Sequence, residues 1–262
     1  MPRYIDISEK EVIEMYNSNN FKMCEICAHF NVSKFKIRKV LLKNNVISKS
    51  AKKYTYFDDI FENIDNEEKA YWLGFLYADG YVRERKGTGS ELKLKLAVND
   101  KSHLDKFSRF ISTDDLPIVY EEYKNSKSFR ISVNSKKIVH DLITHGCVNK
   151  KSLIIQFPKL NSDLIQHFIR GYFDGDGCIC IRTNNTIDFT IVSGSMSMLT
   201  TLVEYLSVYS HIPMQKIHKF KKSNLYRFSY TIKYDVKKIY NYLYEYSNIY
   251  LDRKKLKFDL IK

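Results

Sequence analysis

The sequence predicts an α+β protein in which a helix-strand-strand-helix-strand-strand-helix unit (αββαββα) occurs twice, behind a small all-α domain. Three features predict it. WLGFLYADG (72–80) returns in the second half as IRGYFDGDG (169–177), each an apolar helix that stops on Asp-Gly. Stretches such as ELKLKLAV (91–98) and LYRFSYTIK (225–233) alternate apolar with polar residues, the period of a strand with one buried face. Residues 7–48, in contrast, hold only short helical patterns. The expected organisation is an N-terminal domain over 1–50, a linker over 51–66, a first repeat over 67–160 and a second repeat over 161–262; the aromatic and acidic part of the linker, YTYFDDIFENIDN, could dock on the next domain as an extra turn.

In the N-terminal domain, helices are expected over 8–17, 22–30 and 33–45, with Ser8 and Ser33 as N-caps. FKMCEICAHFNVSKFKIRKVLLKNN has the layout of a helix-turn-helix: Ile26 and Phe30 pack inward, Asn31 and Val32 turn, and the helix from Ser33 faces DNA. Lys34, Lys36, Arg38 and Lys39 crowd the front of that helix and suit phosphate and guanine contacts in a major groove. Cys24, Cys27 and His29 have no second ligand pair to complete a zinc site, so Cys27 is read as packing.

In the first repeat, a helix over 67–78 closes on Gly80. Strands follow at 81–85 and 91–98, then a helix over 100–110, a hairpin at 118–123 and 128–133, and a helix over 135–145. The second repeat has the same order: helix 161–175, strands 178–182 and 187–192, helix 197–209, strands 214–220 and 225–233, helix 235–246. Leu92, Leu94, Leu96 and Val98 face inward, as do Phe129, Ile131 and Val133, and Tyr226, Phe228, Tyr230 and Ile232. The opposite faces carry Lys93, Lys95, Arg130, Arg227, Ser229, Thr231 and Lys233, joined by Arg83, Arg85 and Arg182, and form the expected DNA-binding surface. Antiparallel sheets commonly divide their faces this way.

A formal charge of +13 over 262 residues points to a polyanionic partner, because lysine and arginine gain affinity for phosphate backbones through counterion release. Aromatics at 14%, with 20 Tyr, argue for a packed chain and against disorder. No run is apolar enough for a membrane span, and MPRYIDISEK lacks the apolar core of a signal peptide. Five scattered cysteines fit reduced thiols. The expected location is intracellular, and the richness in Lys, Asn, Ile and Tyr suits an A·T-rich genome such as that of a phage or organelle.

Gly74 and Ala78 are four apart on one helix face, as are Gly171 and Gly175, so two such helices can pack with their backbones close. That packing would bring Asp79 and Asp176 together at helix C-termini, where the macrodipole disfavours a negative charge by roughly 0.3–1 kcal/mol. An acid placed twice at such a cost points to a metal ion. Each repeat also ends on paired basic residues, in CVNKKSLII and YLDRKKLKF, at a similar sequence distance from its aspartate.

At these residues the chain resembles the LAGLIDADG homing endonucleases of the single-chain, two-motif kind, from about residue 67 onward; the helix-turn-helix lies outside the resemblance. The resemblance implies a pseudo-twofold αββαββα pair, with the motif helices at the central interface and the two sheets forming a saddle over double-stranded DNA. It implies a monomeric endonuclease that hydrolyses phosphodiester bonds, with Asp79 and Asp176 as ligands of Mg2+ or another divalent cation such as Mn2+. Lys151 and Lys254 are the closest matches to the family's lysines near the scissile phosphate, with Lys150, Arg253 and Lys255 beside them. Asp100 matches a position where a polar side chain organises water, and Gly194 is its counterpart in the second repeat. Tyr77 stands where the motif often has an acid and where the second motif keeps Asp174, so the two sites are expected to be unequal. A group I intron maturase that holds RNA and a DNA-binding transcription regulator are the alternatives on this fold, and the retained aspartates favour the nuclease. An intein is disfavoured, with Met1 and Lys262 at the ends where splice-junction nucleophiles would stand.

Overall fold

A computed structural model describes residues 7–18, 20–46, 54–84, 89–124, 126–149, 153–182 and 186–260. It divides into two compact units, Met1–Tyr54 and Thr55–Lys262. The smaller unit holds three helices, α1 (Glu9–Asn17), α2 (Met23–His29) and α3 (Lys34–Lys43). Val12, Ile26, Ile37, Val40 and Leu41 form its core, and Cys27 packs against them. Ser8 and Ser33 each accept a backbone N–H of the first turn, from Glu11 at 3.3 Å and Lys36 at 3.4 Å. Asn31 makes the turn between α2 and α3 at φ 50°, a left-handed conformation that asparagine tolerates.

The larger unit repeats one topology. Its first half runs α4 (Glu67–Asp79), β1 (Gly80–Arg83), β2 (Glu91–Ala97), α5 (Lys101–Ile111), β3 (Val119–Tyr123), β4 (Ser126–Val133) and α6 (Lys136–Thr144). The second runs α7 (Ile165–Asp176), β5 (Gly177–Ile181), β6 (Ile187–Ser193), α8 (Met196–Ser210), β7 (His218–Lys219), β8 (Tyr226–Tyr230) and α9 (Lys233–Tyr244), and adds α10 (Asp252–Asp259), which the sequence pattern did not announce. Each half forms a four-stranded antiparallel sheet, in the orders β1-β2-β4-β3 and β5-β6-β8-β7. Leu92, Leu94, Ile131 and Val133 are buried under the first sheet, as are Phe189, Ile191, Phe228 and Tyr230 under the second.

Two expectations need correction. Val98 leaves the strand for a 3-10 turn (Val98–Asp100) and is exposed. The last strand stops at Tyr230, because the chain turns into α9 with Ile232 as its exposed N-cap and Asp235 in the first turn, where an acid favours a helix start. Thr231 and Lys233 therefore stand off the sheet. Residues 55–66, the part of the linker that could dock, do pack onto the larger unit: Phe57 N–H bonds to the Ile111 carbonyl at 3.0 Å, Thr55 N–H to Asp114 at 2.6 Å, and Phe61 is wholly buried.

At the centre α4 and α7 meet backbone to backbone. A Cβ added at Gly74 would collide with the Phe168 carbonyl oxygen and stand 2.9 Å from the Tyr172 nitrogen. One at Gly171 would collide with the Tyr71 carbonyl oxygen and stand 2.9 Å from the Phe75 nitrogen. Gly80 and Gly177, which follow the helices, are not left-handed caps. Both are extended (φ −73° and −83°), and glycine is needed because a Cβ would press on the Leu76 and Phe173 carbonyl oxygens at 2.5 and 2.6 Å. Since the neighbours of Gly74 and Gly171 are backbone, Gly74→Ala or Gly171→Ala is expected to destabilise by about 3 kcal/mol, the upper end of overpacking costs. Urea unfolding measures this, and a loss below about 1 kcal/mol would contradict the backbone contact.

Candidate active site at the paired helix ends

Asp79 and Asp176 are the last residues of α4 and α7, and both carboxylates are exposed. The glycine contacts hold the helix ends together: the Cβ position of Gly175 falls against the Ala78 methyl, and Asp79 Oδ2 lies 3.4 Å from it. Asp79 thus sits beside the residue that precedes Asp176. Asp176 also acts on Tyr172, whose pKa burial, and then this carboxylate, push upward; the Tyr172 hydroxyl donates to Ser193 at 3.1 Å. Among the described residues no cluster of three or more His, Cys, Asp or Glu side chains forms a closed metal site. Two exposed carboxylates suit an oxygen-seeking ion such as Mg2+, which keeps several waters and takes further ligands from substrate phosphate.

Lys254, expected near the scissile phosphate, is buried behind these acids. From α10 its ammonium donates to the Phe173, Asp174 and Gly177 carbonyls at 2.5, 2.7 and 2.6 Å, and so satisfies the C-terminal end of α7. Burial pulls its pKa down to about 8, against the opposing charges of Asp174, Asp79 and Asp176. Its counterpart Lys151, like Lys150 and Arg85, lies outside the described residues. The carbonyl of Leu76 at the α4 end receives the Cys147 thiol at 3.5 Å.

Asp174 is wholly inside. It accepts from the Tyr244 hydroxyl at 2.6 Å, the Tyr71 hydroxyl at 2.8 Å and the Leu251 N–H at 2.7 Å. Burial pushes its carboxyl above the usual range, against Lys254 and these donors. Tyr77, at the same place in the first motif, reaches across to donate to the His145 carbonyl just past α6. In both repeats this position ties the motif helix to the closing helix. Acid on α7 with tyrosine on α9 in one half replaces tyrosine on α4 with a backbone carbonyl in the other.

Seven consecutive residues, Asn248 to Lys254, form a strap between the halves. Asn248 donates to Glu67, the Ile249 carbonyl accepts from Arg170, and the Tyr250 carbonyl and Asp252 accept from Lys106. Leu251 binds Asp174, and Arg253 Nε donates to both oxygens of Asp100, at 2.8 and 2.9 Å. Asp100, expected to organise water, is thus a buried carboxylate of the first repeat held by an arginine of the second. Arg170 is 1% exposed and also donates to Glu67 at 2.5 Å and to the Leu243 carbonyl at 2.8 Å. Nothing in the sequence marked it, because it replaces an apolar residue of the motif helix without disturbing the pattern. His103 was also unforeseen: it packs against Trp72 and Phe75, bonds the Tyr71 hydroxyl at 3.0 Å, and is kept neutral by burial, which lowers its pKa to about 3.

No family model matches the chain. Two curated relatives come from Methanocaldococcus jannaschii. A replication factor C small subunit is 32% identical over 124 residues, which are 44% of this chain and 6% of that protein. A probable translation initiation factor IF-2 is 28% identical over 172 residues, 60% of this chain and 13% of that protein. The chain therefore spans only a small part of either. Among solved structures, the I-LtrWI LAGLIDADG homing endonuclease bound to target DNA aligns with a TM-score of 0.50 at 14% identity, covering 75% of this chain and 90% of that one. This chain has a homing endonuclease-like fold. I-SmaMI bound to uncleavable DNA gives 0.49 at 14% identity over 73% and 89% of the two chains. An I-DmoI variant solved with nicked target DNA and Mn gives 0.48 at 17% identity over 73% and 98%.

On the polar sheet faces many of the cations are already paired. Lys93 meets Glu91 at 3.0 Å, Lys95 and Arg130 meet Glu121 at 3.0 and 2.6 Å, and Arg182 meets Asp188 at 2.8 Å. Arg83 and Arg227 are exposed, and Ser229 shares a hydrogen bond with Thr190 at 2.6 Å. In the smaller unit, Lys34, Arg38 and Lys39 are exposed along α3, Lys36 is half-buried, and Phe35 projects between them at 79% exposure. Among the described residues no helix is long and apolar enough to cross a membrane.

The buried lysine makes stability depend on pH. Unfolded, Lys254 titrates near its ordinary 10.5; folded, at about 8. Between these values the unfolded chain binds more protons, so this contribution to stability grows as pH rises through the window, by up to about 3 kcal/mol. Urea unfolding of wild type and Lys254→Met from pH 7.5 to 9.5, roughly spanning the lower part of that window, should show wild type gaining on the variant as pH rises. A constant difference would place the amine in water.

Proposed function

We propose that this chain is a site-specific, double-stranded DNA endonuclease that hydrolyses phosphodiester bonds with divalent metal, Mg2+ or Mn2+, at the junction of its two motif helices. The observation that carries the proposal is the convergence of two exposed carboxylates, Asp79 and Asp176, on helix ends joined through glycine. A folded protein places two like charges at two helix C-termini only against their electrostatics, and a cation is what offsets that placement. Support for the DNA partner comes from the charge of +13 and from I-LtrWI, whose structure of the same fold holds target DNA.

A divalent ion held there would lower the pKa of a bound water and offset charge on the scissile phosphate. The protein's own residues hold and aim. Asp79 and Asp176 supply oxygens on a backbone fixed by Gly74 and Gly171. Lys254 satisfies the end of α7 from behind, so the helix terminus keeps its form when its aspartate is engaged. Arg253, gripped by Asp100 through Nε, keeps its two terminal nitrogens for a phosphate. Asp100 is then a positioning residue. We further propose that α3, with Lys34, Lys36, Arg38 and Lys39, places the smaller unit on flanking duplex.

The test is Mg2+-dependent cleavage of a randomised duplex library, with the ends sequenced. Wild type should yield a defined set of ends. Asp79→Asn and Asp176→Asn should each keep DNA affinity but slow cleavage of at least one strand by at least about a hundredfold. Full cleavage by the double variant would sink the assignment.

A further inference from the structure

The two sheets share a topology, so β3 and β7 hold the same place, the outer edge of each half. Their charges are opposite. β3 carries Glu121 and Glu122, and these acids, with Glu91, pair most of the cations around them, namely Lys93, Lys95, Arg130, and Lys127 at 4.0 Å from Glu122, while the exposed Lys124 lies over the Tyr123 ring. β7 carries His218 and Lys219, and the hairpin that leads to β8 continues Phe220, Lys221, Lys222. From Tyr205 to Tyr234 the sequence contains no Asp or Glu. Lys216, Lys219, Lys221 and Lys222 are all exposed, and among the described residues none lies within ion-pair distance of an acid.

From this difference we infer that the β7–β8 hairpin is the principal grip on the DNA backbone, and that the second repeat holds its half of a duplex more tightly than the first repeat holds the other. The inference rests on the DNA reading of the fold. An unpaired surface lysine gains the full counterion-release free energy when it meets a phosphate, whereas a lysine already paired must first give up its acid, and the acid left behind repels the duplex. The second repeat therefore supplies affinity that is independent of base sequence, and after a cut the half-duplex under the first repeat leaves first. The first sheet, neutralised at its edge, contributes through side chains that touch bases more than through bulk charge.

The experiment uses the full chain and a short random-sequence duplex, with affinity measured across a salt series. Each phosphate contact contributes about 0.9 to the slope of log K against log salt. Replacing Lys219, Lys221 and Lys222 together (Lys219→Gln, Lys221→Gln, Lys222→Gln) should reduce the slope by about 2 to 3, and the matched set Lys93→Gln, Lys95→Gln, Lys127→Gln by less than about 1. The smaller unit is common to all variants and cancels. All six side chains are on the surface, and unchanged thermal unfolding confirms folding. Equal losses, or a larger loss from the first set of strands, would overturn the unequal grip while leaving the DNA reading intact. Binding by wild type that shows no salt dependence would instead overturn the DNA reading itself.

Discussion

The contact between Gly74 and the Phe168 carbonyl, and between Gly171 and the Tyr71 carbonyl, is the constraint on which the rest depends. Helices with side chains at their crossing stay roughly 8–10 Å apart. Without Cβ atoms the two backbones close further, and the ends of both helices enter the same small region. The Ala78–Gly175 pair continues the approach to the last turn, so that Asp79 finishes beside Gly175, the residue that precedes Asp176. Each helix then passes directly into the first strand of its sheet, with extended glycines at 80 and 177. Sheet position, site position and repeat symmetry all descend from that one crossing.

Close backbones alone do not fix the angle between two halves, and buried polar groups supply the rest. Arg170 and Asp174 lie inside α7, and Glu67, Tyr71, Tyr244 and the strap from Asn248 to Lys254 converge on them. A buried guanidinium or carboxylate is expensive to leave unpaired, by several kcal/mol, so the arrangement that satisfies every partner is strongly selected over near alternatives. The strap draws on both repeats, through Glu67, Asp100 and Lys106 of the first and Arg170 and Asp174 of the second. It links the two halves beside the paired helix ends.

Much of this was legible in the sequence because it follows a period. The i, i+4 small residues, Gly74 with Ala78 and Gly171 with Gly175, announced the helix crossing, and alternation announced the strands of both sheets except where a turn residue ended them early, as after Tyr230. What was not legible lacks a period. Lys254 and Arg253 are adjacent basic residues that look alike in sequence, yet one is sunk under α7 and the other reaches Asp100. The strap is irregular from Asn248 to Leu251 before it enters α10, and its partners lie far away along the chain. Burial of Arg170, Asp174 and His103 depends on partners from three other elements, which no local pattern encodes. Alternation puts the cations of the first sheet on its polar face but does not show that Glu91 and Glu121 pair them.

The central claim is that the glycine crossing makes Asp79 and Asp176 parts of one cation site. Calorimetric titration of Mn2+ into the protein with duplex DNA present, carried out on wild type, Asp79→Asn, Asp176→Asn and the double variant, tests it most directly. A shared site predicts non-additive losses, with a coupling above about 1 kcal/mol. Losses that add to within about 0.5 kcal/mol, as for distant independent sites, would contradict it.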